Sequence, residues 1–129
     1  MKIQLKSIYI LNGTTSGFMV EQVQNWDKIE YLGLTLNIGP TDSIGSDEFY
    51  LTIFTHDYWY KKNYDFEMDR LKDHILPLGK DILLPEGEPI KKDFVLNYIQ
   101  NIIEKAKGSS WREVAINLNQ YFDWEFEVE

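Results

Sequence analysis

Cysteine is absent from these 129 residues. That excludes disulfides, thiolate nucleophiles and the usual structural zinc sites. Histidine is scarce: His56 and His74 stand in separate segments, without the H-x-x-x-H or H-E-x-x-H spacing that holds zinc. No G-x-S-x-G elbow, G-x-G-x-x-G run or Walker loop occurs. The chain therefore advertises neither a serine nucleophile nor a phosphate cradle. No hydrophobic run approaches the roughly 20 residues of a membrane span. The opening Met1-Lys2-Ile3-Gln4-Leu5-Lys6 alternates, unlike the unbroken apolar stretch of a signal peptide. These absences predict a soluble, cytoplasmic protein with no metal and no cofactor.

Positive charge is also in short supply, with 13 Lys and Arg against 21 Asp and Glu, a net charge of −8. Nucleic-acid binding runs on cations that neutralise phosphates, so this balance argues against DNA and RNA. It argues equally against anionic membrane surfaces. A basic protein is the natural complement. What the chain does have is bulk: 43% hydrophobic residues and 15% aromatics. That is enough apolar surface to offset ordering entropy, and the length suits one domain over residues 1–129.

Period-two alternation marks the strands. Ile3 and Leu5 share one face of the first segment. From Tyr31 to Ile38, Leu32, Leu34, Leu36 and Ile38 face one way, and Gly39-Pro40 ends the run. A polar loop leads to a second strand, Glu48 to Thr55, and an antiparallel pairing is the simplest arrangement. Asp81 to Leu84 reads as a short strand, and Asp57 to about Leu76 as an irregular or short helical crossover. Further on, Phe94, Val95, Tyr98, Ile99, Ile102, Ile103 and Ala106 recur at helical spacing, with Gly108 at the position of a left-handed cap. Ser110-Trp111-Arg112-Glu113 is a capping box, in which Glu113 is expected to reach back to the Ser110 N–H. Trp111, Val114, Ala115, Leu118 and Phe122 form the stripe of a second helix. In the terminal W-E-F-E-V-E, Trp124, Phe126 and Val128 are expected inward, leaving Glu125, Glu127 and Glu129 as an acidic comb. Strands followed by two helices, near Asp93–Lys107 and Trp111–Tyr121, predict an α+β fold with both helices on one face of an antiparallel sheet.

Chemistry is harder to find. Asp57, Asp65, Glu67 and Asp69 lie among aromatics, where a buried carboxyl has a raised pKa. A solvated acidic loop over an aromatic core is the simpler reading. Eight aromatics between Phe49 and Phe66 would also make a stacking platform, but core or interface is the commoner use of such density.

The C-terminal third resembles the closing signature of the immunity protein 8 family. The resemblance rests on Gly108-Ser109-Ser110-Trp111-Arg112-Glu113-Val114-Ala115, Leu118, and Tyr121-Phe122-Asp123-Trp124-Glu125-Phe126-Glu127. The hairpin is similar too, in Gly33, Leu36, Ile38-Gly39-Pro40 and Glu48-Phe49-Tyr50. The resemblance implies a small cytoplasmic protein of bacterial polymorphic-toxin and contact-dependent inhibition systems. Such a protein binds the C-terminal domain of one cognate toxin and works without a catalytic residue. Apart from the resemblance, a monomer or weak homodimer is the expected state. The resemblance also implies that Ser110, Trp111, Glu113, Trp124 and Phe126 are scaffold. A basic, nuclease-type toxin would suit the charge.

The candidate toxin contacts are the acids that look free of structural duty. Asp42, Asp47 and Glu48 belong to the hairpin loop; Asp65, Glu67 and Asp69 to the middle segment, beside Tyr58, Trp59 and Tyr64. The terminal comb is the second choice. Two other classes fit the composition, an acidic adaptor or scaffold unrelated to toxins and a small carboxylate enzyme or sugar binder.

Overall fold

A computed structural model describes residues 1–10, 22–62 and 80–126. Within them, β1 (Ile3–Ile10), β2 (Tyr31–Pro40), β3 (Asp47–Phe54), β4 (Ile82–Leu83) and β5 (Asp123–Trp124) form one sheet. Helices α1 (His56–Lys62), α2 (Lys92–Lys105) and α3 (Trp111–Leu118) complete the described elements, with a 3-10 turn at Trp26–Lys28. The architecture is α+β, as expected.

The two alternating segments pair antiparallel, Leu34 opposite Leu51 and Leu36 opposite Phe49. Their inward residues, with Ile8, Ile10, Leu32, Ile38 and Ile53, are essentially shut from solvent. Each such side chain contributes roughly 1.5–3 kcal/mol of burial. Val95, Ile99 and Ile103 of α2 join the same core, as do Val114, Ala115 and Leu118 of α3. Both helices therefore cover one sheet face. β4 departs from the antiparallel expectation and runs parallel to β3, Ile53 beside Ile82. β5 takes the other end of that edge, Phe49 beside Trp124.

β1 carries a register shift between Leu5 and Ser7. The extra residue, Lys6, lets Ile3 and Leu5 share the core face with Ile8 and Ile10 although their parity differs. Its ammonium donates to the carbonyls of Ser43 and, at 2.7 Å, Gly45 in the β2–β3 loop. Gly39 admits that loop, because a Cβ there would lie 2.3 Å from the Gly45 carbonyl oxygen.

Gly108 has a different role from the one its position suggested. α2 ends through Ala106 in extended conformation, and among the described glycines only Gly87 has positive φ. A Cβ on Gly108 would lie 2.8 Å from Glu113 Cβ and 2.9 Å from the Val114 nitrogen. Close approach to the first turn of α3, and not a left-handed cap, is what calls for glycine here. Phe126 is also corrected: β5 stops at Trp124, and Phe126 is 57% exposed. Period two ends with the strand, so the inward alternation ends there too. Val128, Glu127 and Glu129 lie outside the described residues.

Candidate functional site

Phe49 is the hub of one corner of the molecule. Fully buried, it stacks on Trp124 at 6.2 Å and meets Trp111 and Phe122 edge-on at 6.3 and 6.5 Å. Two indoles brought into a core must place their N–H groups. One acceptor serves both: Asp47 Oδ2 accepts from Trp111 Nε1 at 2.8 Å and from Trp124 Nε1 at 3.0 Å. Charge-assisted bonds of this kind are stronger than neutral ones. Asp47 is thus neither in the loop nor free of structural duty. It opens β3 on the core-facing register, opposite Ile38.

The capping box forms with one change. Ser110 Oγ accepts from the Glu113 N–H at 3.2 Å, as expected. The Glu113 carboxylate, however, accepts from the Ser109 N–H at 2.8 Å and the Ser109 hydroxyl at 2.9 Å. Ser110 is not its partner, and the bond falls one residue upstream. The Ser109 N–H first, then its hydroxyl, hold the Glu113 carboxyl below its ordinary range. Ser110, Trp111, Glu113 and Trp124 all therefore have partners inside the scaffold. Phe126 meets the Trp124 ring edge-on at 5.8 Å.

Glu48 sits on the opposite face of β3 from Asp47, in the strand and exposed. Its N–H donates to Glu125 Oε2 at 3.0 Å, and the Glu125 N–H donates back to the Glu48 carbonyl at 3.0 Å. The Glu48 carboxylate accepts from the Tyr50 hydroxyl at 2.9 Å. That bond, then burial and the charges of Glu48 and Glu125, raise the Tyr50 phenol pKa. Lys80 closes this sheet end, 3.4 Å from Asp123 and 2.8 Å from Asn119 Oδ1. Burial first, then Asp123, raise the pKa of neighbouring Asp81. Asp42 lies exposed in the turn after β2.

Tyr58 and Trp59 lie at the far end of β3, half-buried in α1. Tyr58 packs on Phe54 at 5.9 Å and on Tyr31 at 5.3 Å; Trp59 meets Phe54 at 5.7 Å. From Glu48 to Phe54 the strand spans roughly 20 Å, at about 3.3 Å per residue. The expected contacts therefore divide between two ends of the sheet. Tyr64, Asp65, Glu67 and Asp69 fall outside the described residues.

A further acidic feature escaped the sequence reading. Asp27, Glu30, Asp57 and Glu88, with His56, line a depression of about 190 Å³. Three distant segments supply them, and no spacing signals such a convergence. His56 stacks on Tyr60 at 5.9 Å, and Lys61 reaches Glu30 at 4.0 Å. Among the described residues no group of His, Asp and Glu is arranged to hold a metal. No described helix is long and apolar enough to cross a membrane.

The arrangement offers exposed carboxylates at both ends of a sheet, with a hydrogen-bonded scaffold around Asp47 at one of them. No curated protein and no solved structure matches the chain. The model of the family Immunity protein 8 matches residues 3–128, and with nearly its whole length covered, the chain belongs to that family.

Proposed function

We propose that this immunity protein neutralises a basic, nuclease-type toxin domain in the cytoplasm of the cell that makes it. A polymorphic-toxin or contact-dependent inhibition system is its natural setting. The observation that carries the reading is charge: the chain has a net charge of −8. Its exposed carboxylates include Glu48 and Glu125 at one sheet end, and Asp27, Glu30, Asp57 and Glu88 at the other. A nuclease must approach phosphates and presents cations to do so. An acidic inhibitor is steered to that surface and competes for it. Asp65, Glu67 and Asp69, beside Tyr58, Trp59 and Tyr64, remain the proposed centre of contact. Asp42 and Glu48 extend it, while Asp47 now counts with the scaffold. No catalytic residue is assigned.

The test is stopped-flow association with the toxin domain encoded beside this gene, at low and high salt. Steering predicts a rate that falls steeply with salt, and a slower, flatter rate for Asp65→Lys with Asp69→Lys. A toxin domain of acidic charge, or a rate indifferent to salt, would overturn the basic-toxin reading.

A further inference from the structure

Between α2 and α3 lies a groove of about 290 Å³, lined by Ile102, Ala106, Tyr98, Tyr121 and Lys105 among others. Phe94, 41% exposed, continues its aromatic lining one turn along α2, 6.0 Å from the Tyr98 ring. Tyr121 is 46% exposed. Large rings left this open on neighbouring elements are the mark of a surface that meets a partner.

Among the described residues, the charged side chain that lines the groove is a cation, Lys105. From Lys91 to Arg112 the chain carries five cations against two carboxylates, Asp93 and Glu104, a net of +3. The other residues therefore hold −11 of the overall −8. Among the described residues Lys105 forms no ion pair. The chemistry that fits is an aromatic or aliphatic side chain flanked by carboxylates.

The chain itself presents that chemistry. Phe126 is the most exposed aromatic among the described residues, and Glu125 and Glu127 flank it in sequence. We propose that the α2–α3 groove is a self-association surface: Phe126 of one copy enters the groove of a second, and the adjacent Glu125 carboxylate meets Lys105. Tyr121 lines the groove only five residues before Phe126, so donor and acceptor belong to one stretch of chain. Two such contacts exchanged about a two-fold axis close into a dimer, not a chain of copies. One ring in a groove of this size falls short of the roughly 1,200 Å² of a standard interface and belongs with weak, transient contacts. The groove lining includes none of the carboxylates assigned to the toxin, and Glu125 is the residue that the two readings share.

Sedimentation velocity of the full chain tests it, from about 10 μM to 1 mM, where weak association is resolved. The expected result is a reversible dimer that weakens with salt. Phe126→Ser and Lys105→Glu should each raise its dissociation constant about tenfold or more, a loss of about 1.4 kcal/mol or more. Both side chains are exposed, and thermal melts check that the fold is intact. Ile44→Ser, an exposed apolar residue in the β2–β3 loop, should change nothing. A protein monomeric throughout, a dimer indifferent to Phe126→Ser, or one lost on Ile44→Ser would each overturn the proposal.

Discussion

The two faces of β3 treat the same chemical group in opposite ways. On the core side, the Asp47 carboxylate is an acceptor for two indoles, buried Trp124 and half-buried Trp111, and through them ties β3 to α3 and β5. On the other side, one residue along, the Glu48 carboxylate is exposed and meets the hydroxyl of Tyr50. Side chains alternate across a strand, so a step of one residue carries a carboxylate from scaffold to surface. Acidic composition alone is thus a poor guide to which acids face a partner. A carboxylate that satisfies two N–H donors has little left to offer one.

The comparison breaks most severely if the hub is removed. Trp124→Ala should cost about 3–5 kcal/mol, since it empties a buried site against Phe49 and deletes one Asp47 bond. In a domain of ordinary stability that is enough to abolish soluble expression. A soluble, stable variant would show that the indole does not anchor the corner.

Asp47→Ala should come next, at about 1–3 kcal/mol, because two indole N–H groups lose their acceptor. Asp47→Asn should cost less, the amide oxygen still being able to accept. Urea unfolding of the pair separates the loss of the acceptor from the loss of charge. Equal destabilisation by both would mean that the charge, and not the acceptor, carries the effect.

Ser110→Ala removes the acceptor of the Glu113 N–H and should cost about 0.5–2 kcal/mol, with toxin affinity unchanged in the folded protein. Loss of affinity at an unaltered melting temperature would put Ser110 in the interface. Its companion Glu113 supplies a pH signature. The folded protein holds the Glu113 carboxyl below its ordinary value of 4.5, so the bound carboxylate stabilises the fold above that pH. That contribution disappears as pH falls through the lowered folded value. Glu113→Gln should therefore flatten the acid limb of the melting curve and leave its neutral region nearly in place.

The smallest effect is expected at Glu48. Glu48→Ala should stay within about 0.5 kcal/mol of the parent, as surface substitutions do. A destabilisation equal to that of Asp47→Ala would erase the distinction between the two faces.

Particular residues show why some of this was legible beforehand. Leu32, Leu34, Leu36 and Ile38 alternate with polar or small residues, and a half-buried strand is the local arrangement that buries all four. The stripes Val95–Ile99–Ile103 and Val114–Leu118 fix the core faces of α2 and α3 in the same way. The cap of α3 reads from Ser110 because its acceptor and donor are three residues apart. Lys6 was misleading, since a bulge shifts the parity of a strand without leaving a residue type that announces it. Gly108 misled for another reason: positive φ and close approach both call for glycine, and only the position of Glu113 and Val114 tells them apart.

By itself, then, the sequence determined what depends on neighbours along the chain: which segments are strands, which are helices, where α3 begins, and the net acidity. Its family signature carried the identity as an immunity protein. The tertiary structure decided what depends on meetings between distant segments. Asp47 meets Trp111 and Trp124, which stand 64 and 77 residues away. The depression at His56 draws its acids from three segments, and the α2–α3 groove sets Lys105 beside the rings of Tyr98 and Tyr121. Local spacing encodes periodicity and capping, because those interactions close within a few residues; the fate of a carboxylate rests on what the fold brings opposite it.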